Sequence, residues 1–227
     1  MLSNSFYGIV FFFISILGFS QGQYLENLGS RYGVSDSKLG LITDYEGSPY
    51  LNDEFVPAKV EGLNTTQLVR FNAYDDEMEI RVDGNKVYKL PNPKSVRVVL
   101  LDDSRKVYLL DTYPRDEGVE QQGFFELIHE GEGFLLLLKE RMKFLREVKA
   151  EAYQKAEPAR FKKAKEVFYI KQSNFDEYQE VPSKQKAFLK LFPAANVKTV
   201  KSTIKGEKLK LSDAEDVASL FSRFLKP

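Results

Sequence analysis

The chain has no cysteine, no tryptophan, a single histidine (His129) and only three methionines. Without cysteine there is no disulfide framework, no thiolate nucleophile, no cysteine metal site and no lipobox, so the chain is not a lipoprotein. One histidine excludes any site that needs two imidazoles, and a Ser-His-Asp arrangement would have to run through His129. No GxSxG elbow, phosphate-cradling loop, dinucleotide fingerprint or nucleic-acid motif is present. The expectation is therefore no cofactor, no metal site and no nucleic-acid partner. A net charge is lacking too, since 33 Lys+Arg balance 33 Asp+Glu. That zero hides an asymmetry. Residues 1–138 hold 12 basic and 21 acidic side chains (12 − 21 = −9), and residues 139–227 hold 21 and 12 (21 − 12 = +9). The economical reading is that the two halves solvate and steer one another; the sharper one is a basic surface for an acidic partner.

Long apolar runs are equally scarce. Ile9–Phe19 (IVFFFISILGF) is an uncharged stretch of eleven, short of the roughly 18 residues that a spanning helix needs. With Gly18, Ser20 and Gly22 following or closing it, the stretch reads as a signal peptide over residues 1–22, cleaved after Ser20 or Gly22. An uncleaved anchor is the competing reading, because the preceding MLSNSFYG carries no Lys or Arg. No later segment is long and apolar enough to cross a bilayer, so an exported protein is expected, periplasmic or extracellular, without a transmembrane segment in the mature chain.

What is present favours strands. An apolar fraction of 43%, with 18 Phe and 12 Tyr, suits a globular protein with pleated, half-buried surfaces. Thr66–Leu90 alternates strictly: Val69, Phe71 and Ala73 oppose Arg70, Asn72 and Tyr74, and Met78, Ile80 and Val82 oppose Glu77, Glu79 and Arg81. Asp83-Gly84-Asn85 is a hairpin signal, so this stretch is a β-meander. Pro49 and Pro57 make Tyr50–Glu61 an expected edge strand. Ser95–Leu101, Lys106–Asp111 and Phe124–Glu130 follow as strands, with Tyr113–Gly118 as a loop. Gly133–Val148 fits both a helix and a strand period; the strand is preferred, with Lys139, Arg141 and Lys143 on the polar parity and Glu130–Gly133 as a hairpin loop. Ala150–Lys165 reads as an extended charged connector, and Val167–Lys171 as the last strand.

From Ser183 the period changes to 3.6. Phe188, Leu189 and Phe192 mark one helix, Pro193 is expected to start the next with Val197, Val200 and Ile204 inward, and Gly206 to close it. Ser212-Asp213-Ala214-Glu215 reads as a capping box before the stripe Val217, Leu220, Phe221 and Phe224. The predicted fold is mainly β (α+β): a curved antiparallel meander sheet over residues 23–175, with a helical segment over residues 176–227 packed on it.

Gly47-Ser48-Pro49-Tyr50-Leu51-Asn52 with Phe55, then Arg70-Phe71-Asn72-Ala73-Tyr74, Asp76-Glu77-Met78-Glu79 and Glu157-Pro158-Ala159-Arg160-Phe161, resemble an uncharacterised family of secreted Bacteroidota proteins. The resemblance implies export and the strand reading of Gly133–Val148. It brings no activity and no site residues.

The candidate binding residues are Arg70, Asn72 and Tyr74 on one strand face, with Glu77 and Glu79 on the neighbouring strand. Together they form either a polar groove for a carboxylate, sugar or peptide backbone, or a set of cross-strand ion pairs. The acidic run Asp75, Asp76, Glu77 and Glu79 lacks the donor spacing of an EF-hand and reads as a turn followed by a solvated strand face. The expected function is a non-enzymatic envelope module that binds a protein partner or a small ligand. Two alternatives compete: a hydrolase combining the acidic run with His129, and a carrier of lipid or lipoprotein.

Overall fold

The computed structural model describes residues 44–82, 86–90, 95–114, 120–131, 133–150, 155–172 and 178–225. The expected signal peptide and the Asp83–Asn85 turn lie outside them. The meander is formed by β2 (Gln67–Asn72), β3 (Glu77–Arg81) and β4 (Val87–Lys89), paired in that order at one end of a ten-stranded sheet. Inward from it come β1 (Val56–Val60), β5 (Val96–Leu100), β6 (Val107–Pro114), β7 (Glu120–Gly131) and β8 (Phe134–Lys139). At the far end lie β11 (Val167–Gln172) and β12 (Gln179–Glu180), giving the order β12-β11-β8-β7-β6-β5-β1-β2-β3-β4. Every neighbouring pair is antiparallel. β9 (Met142–Leu145) and β10 (Arg160–Lys163) pair separately as a two-stranded ribbon.

Several expectations need correction. The strand around Pro57 is central, lying between β5 and β2. Pro57 is tolerated because its carbonyl accepts from Leu101 N–H just outside the β1–β5 ladder, which runs over Ala58–Val60. Its missing donor therefore faces Leu101, one residue beyond the last pair of that ladder, and costs the ladder only a terminal bond. Tyr113 and Pro114 belong to β6 rather than to a loop, with Pro114 opposite Glu120 at the ladder's end. Gly133–Val148 is extended as expected, yet it breaks at Glu140-Arg141 and switches from the large sheet to the ribbon. The supposed connector after Ala150 supplies β10, and β12 follows the strand that was expected to be last.

The helical end begins with α1 (Gln185–Phe188), which continues as a 3₁₀ turn over Leu189–Leu191. Pro193 lies in the following turn, and α2 starts at Val197 and runs to Gly206. Its closing left-handed residue is Lys208 (φ 56), with Leu209 N–H bonded to Ile204 O at 3.0 Å. This is the Schellman geometry, so Gly206 is the last helical residue and not the left-handed cap. α3 (Ala214–Phe224) is capped by Asp213, whose carboxylate accepts from Glu215 and Asp216 N–H. The cap thus sits one residue later than the expected Ser212.

Three apolar clusters divide the interior. Val69, Phe71, Met78, Val98, Tyr108 and Phe124 fill the inside of the curl made by β1–β7. Phe188, Phe192, Val200, Val217, Leu220 and Phe221 cover Phe134, Leu136, Leu138, Phe168 and Ile170, so the helices bury their stripes on β8 and β11. The opposite face of those strands packs as an aromatic cluster of Tyr113, Phe125, Tyr169 and Tyr178 with Leu137.

Candidate functional site

The curl is fastened by one buried ion pair. Asp76, at φ 62 in the β2–β3 turn, accepts from Lys139 Nζ at 2.7 and 2.6 Å and from Phe124 N–H at 3.1 Å. Lys139, expected on the solvated parity, is 1% exposed. Its amine also donates to Phe124 O and lies 4.5 Å from the Phe125 ring centre. Burial pushes its pKa down to about 8, although Asp76 works the other way. Gly123 makes the approach possible: a Cβ there would collide with the Asp76 carboxylate and the Lys139 amine. Nothing in FLLLLK marks Lys139 as buried, but an isolated glycine inside a strand is a signal of close backbone approach.

The segments carrying the quoted motifs converge beside this fastening. Pro49 O accepts from Ala73 and Tyr74 N–H at 3.0 and 3.2 Å, and Glu46 N–H donates to Ala159 O at 2.9 Å. Gly47 takes φ 78 against Phe161. Tyr45, Phe144 and Phe161 then meet edge to face, and Tyr74 packs on the last two.

The five expected binding residues are distributed among separate structural tasks. Arg70 and Glu79 face each other as cross-strand partners, with Nε and Nη2 on Glu79 Oε2 at 3.2 and 2.7 Å. Nη1 donates to Asp53 O at 3.1 Å, and the guanidinium sits 3.6 Å from the Tyr50 ring centre and 4.4 Å from that of Phe55. Tyr50 Oη donates to Glu79 Oε1; its own burial first, and the Glu79 charge second, push the phenol up to about 12. Asn72 is buried and builds the turn, accepting from Tyr74 and Asp75 N–H. Glu77 pairs with Lys89 at 2.8 Å. These residues do not form one open polar groove.

Arg70 nonetheless contributes to the wall of a cavity of about 190 Å³ at the mouth of the curl. Its floor is apolar: Val56, Val69, Phe71, Met78, Leu100 and Tyr108 from five strands. Its rim is polar, formed by Asn52, Glu54, Asp102, Ser104 and Lys106. Two side-chain-built turns hold the rim. Asn52 Oδ1 accepts from Glu54 N–H at 3.1 Å, and Asp102 Oδ1 accepts from Ser104 N–H and Oγ at 3.2 and 2.5 Å. Beneath it Lys106 bridges Glu126 (2.7 Å) and Glu140 (3.3 Å), and Lys163 reaches Glu140 at 2.9 Å. Burial raises the Glu126 carboxyl, which has one lysine. Burial also opposes ionisation of Glu140, but two lysines hold it below the ordinary range. Tyr108 is raised by burial and then by these carboxylates. Sequence reasoning missed the cavity because its floor looks like ordinary core on each strand taken alone.

The hydrolase constellation is not assembled. His129 stacks on Phe134 at 4.8 Å, on the face covered by the helices. Asp76 engages Lys139, whose amine lies over the rings of Tyr113 and Phe125 on the opposite face. The sheet stands between them. No family model, no curated protein and no solved structure matches the chain.

Proposed function

We propose that this protein is an exported, non-enzymatic binding module that takes one apolar group of a small ligand or partner protein into the mouth of its curled sheet. The observation that carries the reading is the cavity itself, an apolar floor with a polar rim, the usual composition of a recognition site. At about 190 Å³ it is smaller than the roughly 300–1,000 Å³ of drug-sized pockets. That size favours a single anchoring group over an enclosed acyl chain, and so favours a binding module over a lipid carrier. Filled by an apolar group, the floor supplies affinity through buried area, while Asn52, Ser104 and Asp102 offer hydrogen bonds that orient the polar remainder.

Val56 is a half-buried residue of the cavity floor, so Val56→Phe fills the space without opening the core. Native mass spectrometry of the protein purified from its own cells is expected to show an added mass in the wild type that Val56→Phe lacks, with melting temperatures alike. Identical adducts, or none on either, would count against a small-ligand occupant.

A further inference from the structure

A second surface lies at the other end of the sheet, independent of the cavity. Residues 184–210 carry eight lysines, at 184, 186, 190, 198, 201, 205, 208 and 210, against one acid, Glu207. All eight lysines are exposed. The same stretch turns Phe188, Phe192, Val200 and Ile204 inward onto the sheet, so the lysines carry the charge of this layer's outer surface. Among the described residues none of the eight forms an ion pair, and Glu207 is held by Arg223 at 2.8 Å. The excess charges of the two chain halves do meet, at Lys139–Asp76 and Lys171–Asp111. The α1–α2 lysines take no part in that neutralisation.

We infer that the α1–α2 layer docks on an anionic phospholipid surface. Three features select this partner. The cations are all lysines, compact and strongly hydrated point charges on flexible stems, which suit diffuse headgroup charge; a shaped carboxylate or phosphate pocket favours the planar arginine fork. They lie on the outside of a helical layer whose apolar side faces the sheet. The aromatic rings of the stretch, Phe188 and Phe192, are buried, leaving no platform for stacking bases as single-stranded nucleic-acid binders use. On α2, Lys198, Lys201 and Lys205 recur at helical spacing along one flank of the buried Val200–Ile204 stripe, so their charges act together on one surface while the apolar stripe stays on the sheet, and the attraction is electrostatic alone.

The test is cosedimentation of the full chain with phosphatidylcholine vesicles, with and without phosphatidylglycerol at about one third, at low and high salt. Any contribution from the apolar Ile9–Phe19 run is common to both vesicle types. The wild type is expected to prefer the anionic vesicles at least tenfold at low salt and to lose the preference at high salt. Lys198→Gln/Lys201→Gln/Lys205→Gln should remove most of it, at roughly fivefold per lysine, with an unchanged melting curve because all three side chains are exposed. Lys184→Gln/Lys186→Gln/Lys190→Gln, at the cap, body and 3₁₀ continuation of α1, should lower it likewise. Equal binding to both vesicle types overturns the inference, as does anionic binding that both triple variants retain. Retention on double-stranded DNA or an acidic polysaccharide without preference for anionic vesicles also overturns it.

Discussion

Arg70 illustrates how a residue of the right type for recognition is taken up by the fold. Its fork is spent on Glu79 and Asp53 O, and the rings of Tyr50 and Phe55 pack on the guanidinium. Removing it takes the cation from a Glu79 side chain that is 3% exposed, leaving the Tyr50 hydroxyl on its other oxygen. Arg70→Ala should therefore cost about 2 to 3 kcal/mol in denaturant melts, less than a fully buried pair because Arg70 keeps some exposure. A loss below about 0.5 kcal/mol would mean that the Arg70–Glu79 pair contributes little to folding, which would favour the groove alternative of the sequence reading over the cross-strand pair. Lys139 is the deeper case. Lys139→Met should cost about 3 to 5 kcal/mol by leaving the Asp76 carboxylate without its cation, and Asp76→Asn/Lys139→Met should recover much of it. The pair also sets a pH dependence. With the folded lysine near 8 and the unfolded one near its ordinary 10.5, the unfolded chain holds a proton that the folded chain has released between those values. Stability from this site therefore rises with pH across that window. Tyr50, Tyr108 and Tyr178, all raised by burial, act in the opposite sense above pH ~10. Between pH 8 and 9.5 the wild type should gain about 1.5 kcal/mol relative to the double variant; a constant difference would contradict the buried-lysine account.

Among the elements, legibility followed periodicity. The meander was readable because one face of β2 and β3 packs in the curl, so alternation survives in the sequence, and the α3 stripe was readable for the same reason at 3.6 residues. β10 was not, since Arg160, Lys162 and Lys163 give it little apolar signal and its burial rests on Phe161. β1 was misplaced because the rule about proline concerns donors, and sequence does not reveal which way the missing donor points. The helices are integral to the fold: Phe221 is fully buried, meeting Phe134, Phe188 and Phe192 at 5.4–5.7 Å. Phe221→Ala should cost about 3 to 5 kcal/mol in a single cooperative transition. A loss below about 1 kcal/mol would make the helical end a separate appendage.

At the scale of the molecule, a sheet curled on itself by Asp76–Lys139 leaves a cavity where the β5–β6 turn and the 51–54 loop rise above the apolar floor. That cavity depends on contacts among residues up to some fifty positions apart, which no local pattern records. The claim that it is a recognition site is tested most directly by photo-crosslinking in living cells, with a photoreactive residue at Ser104 on the rim or at Lys143 on the ribbon. The account predicts a discrete adduct from position 104 that disappears when Val56→Phe is added, and none of that adduct from position 143. The same adduct from both positions, or one from position 104 that survives the filled cavity, would contradict it.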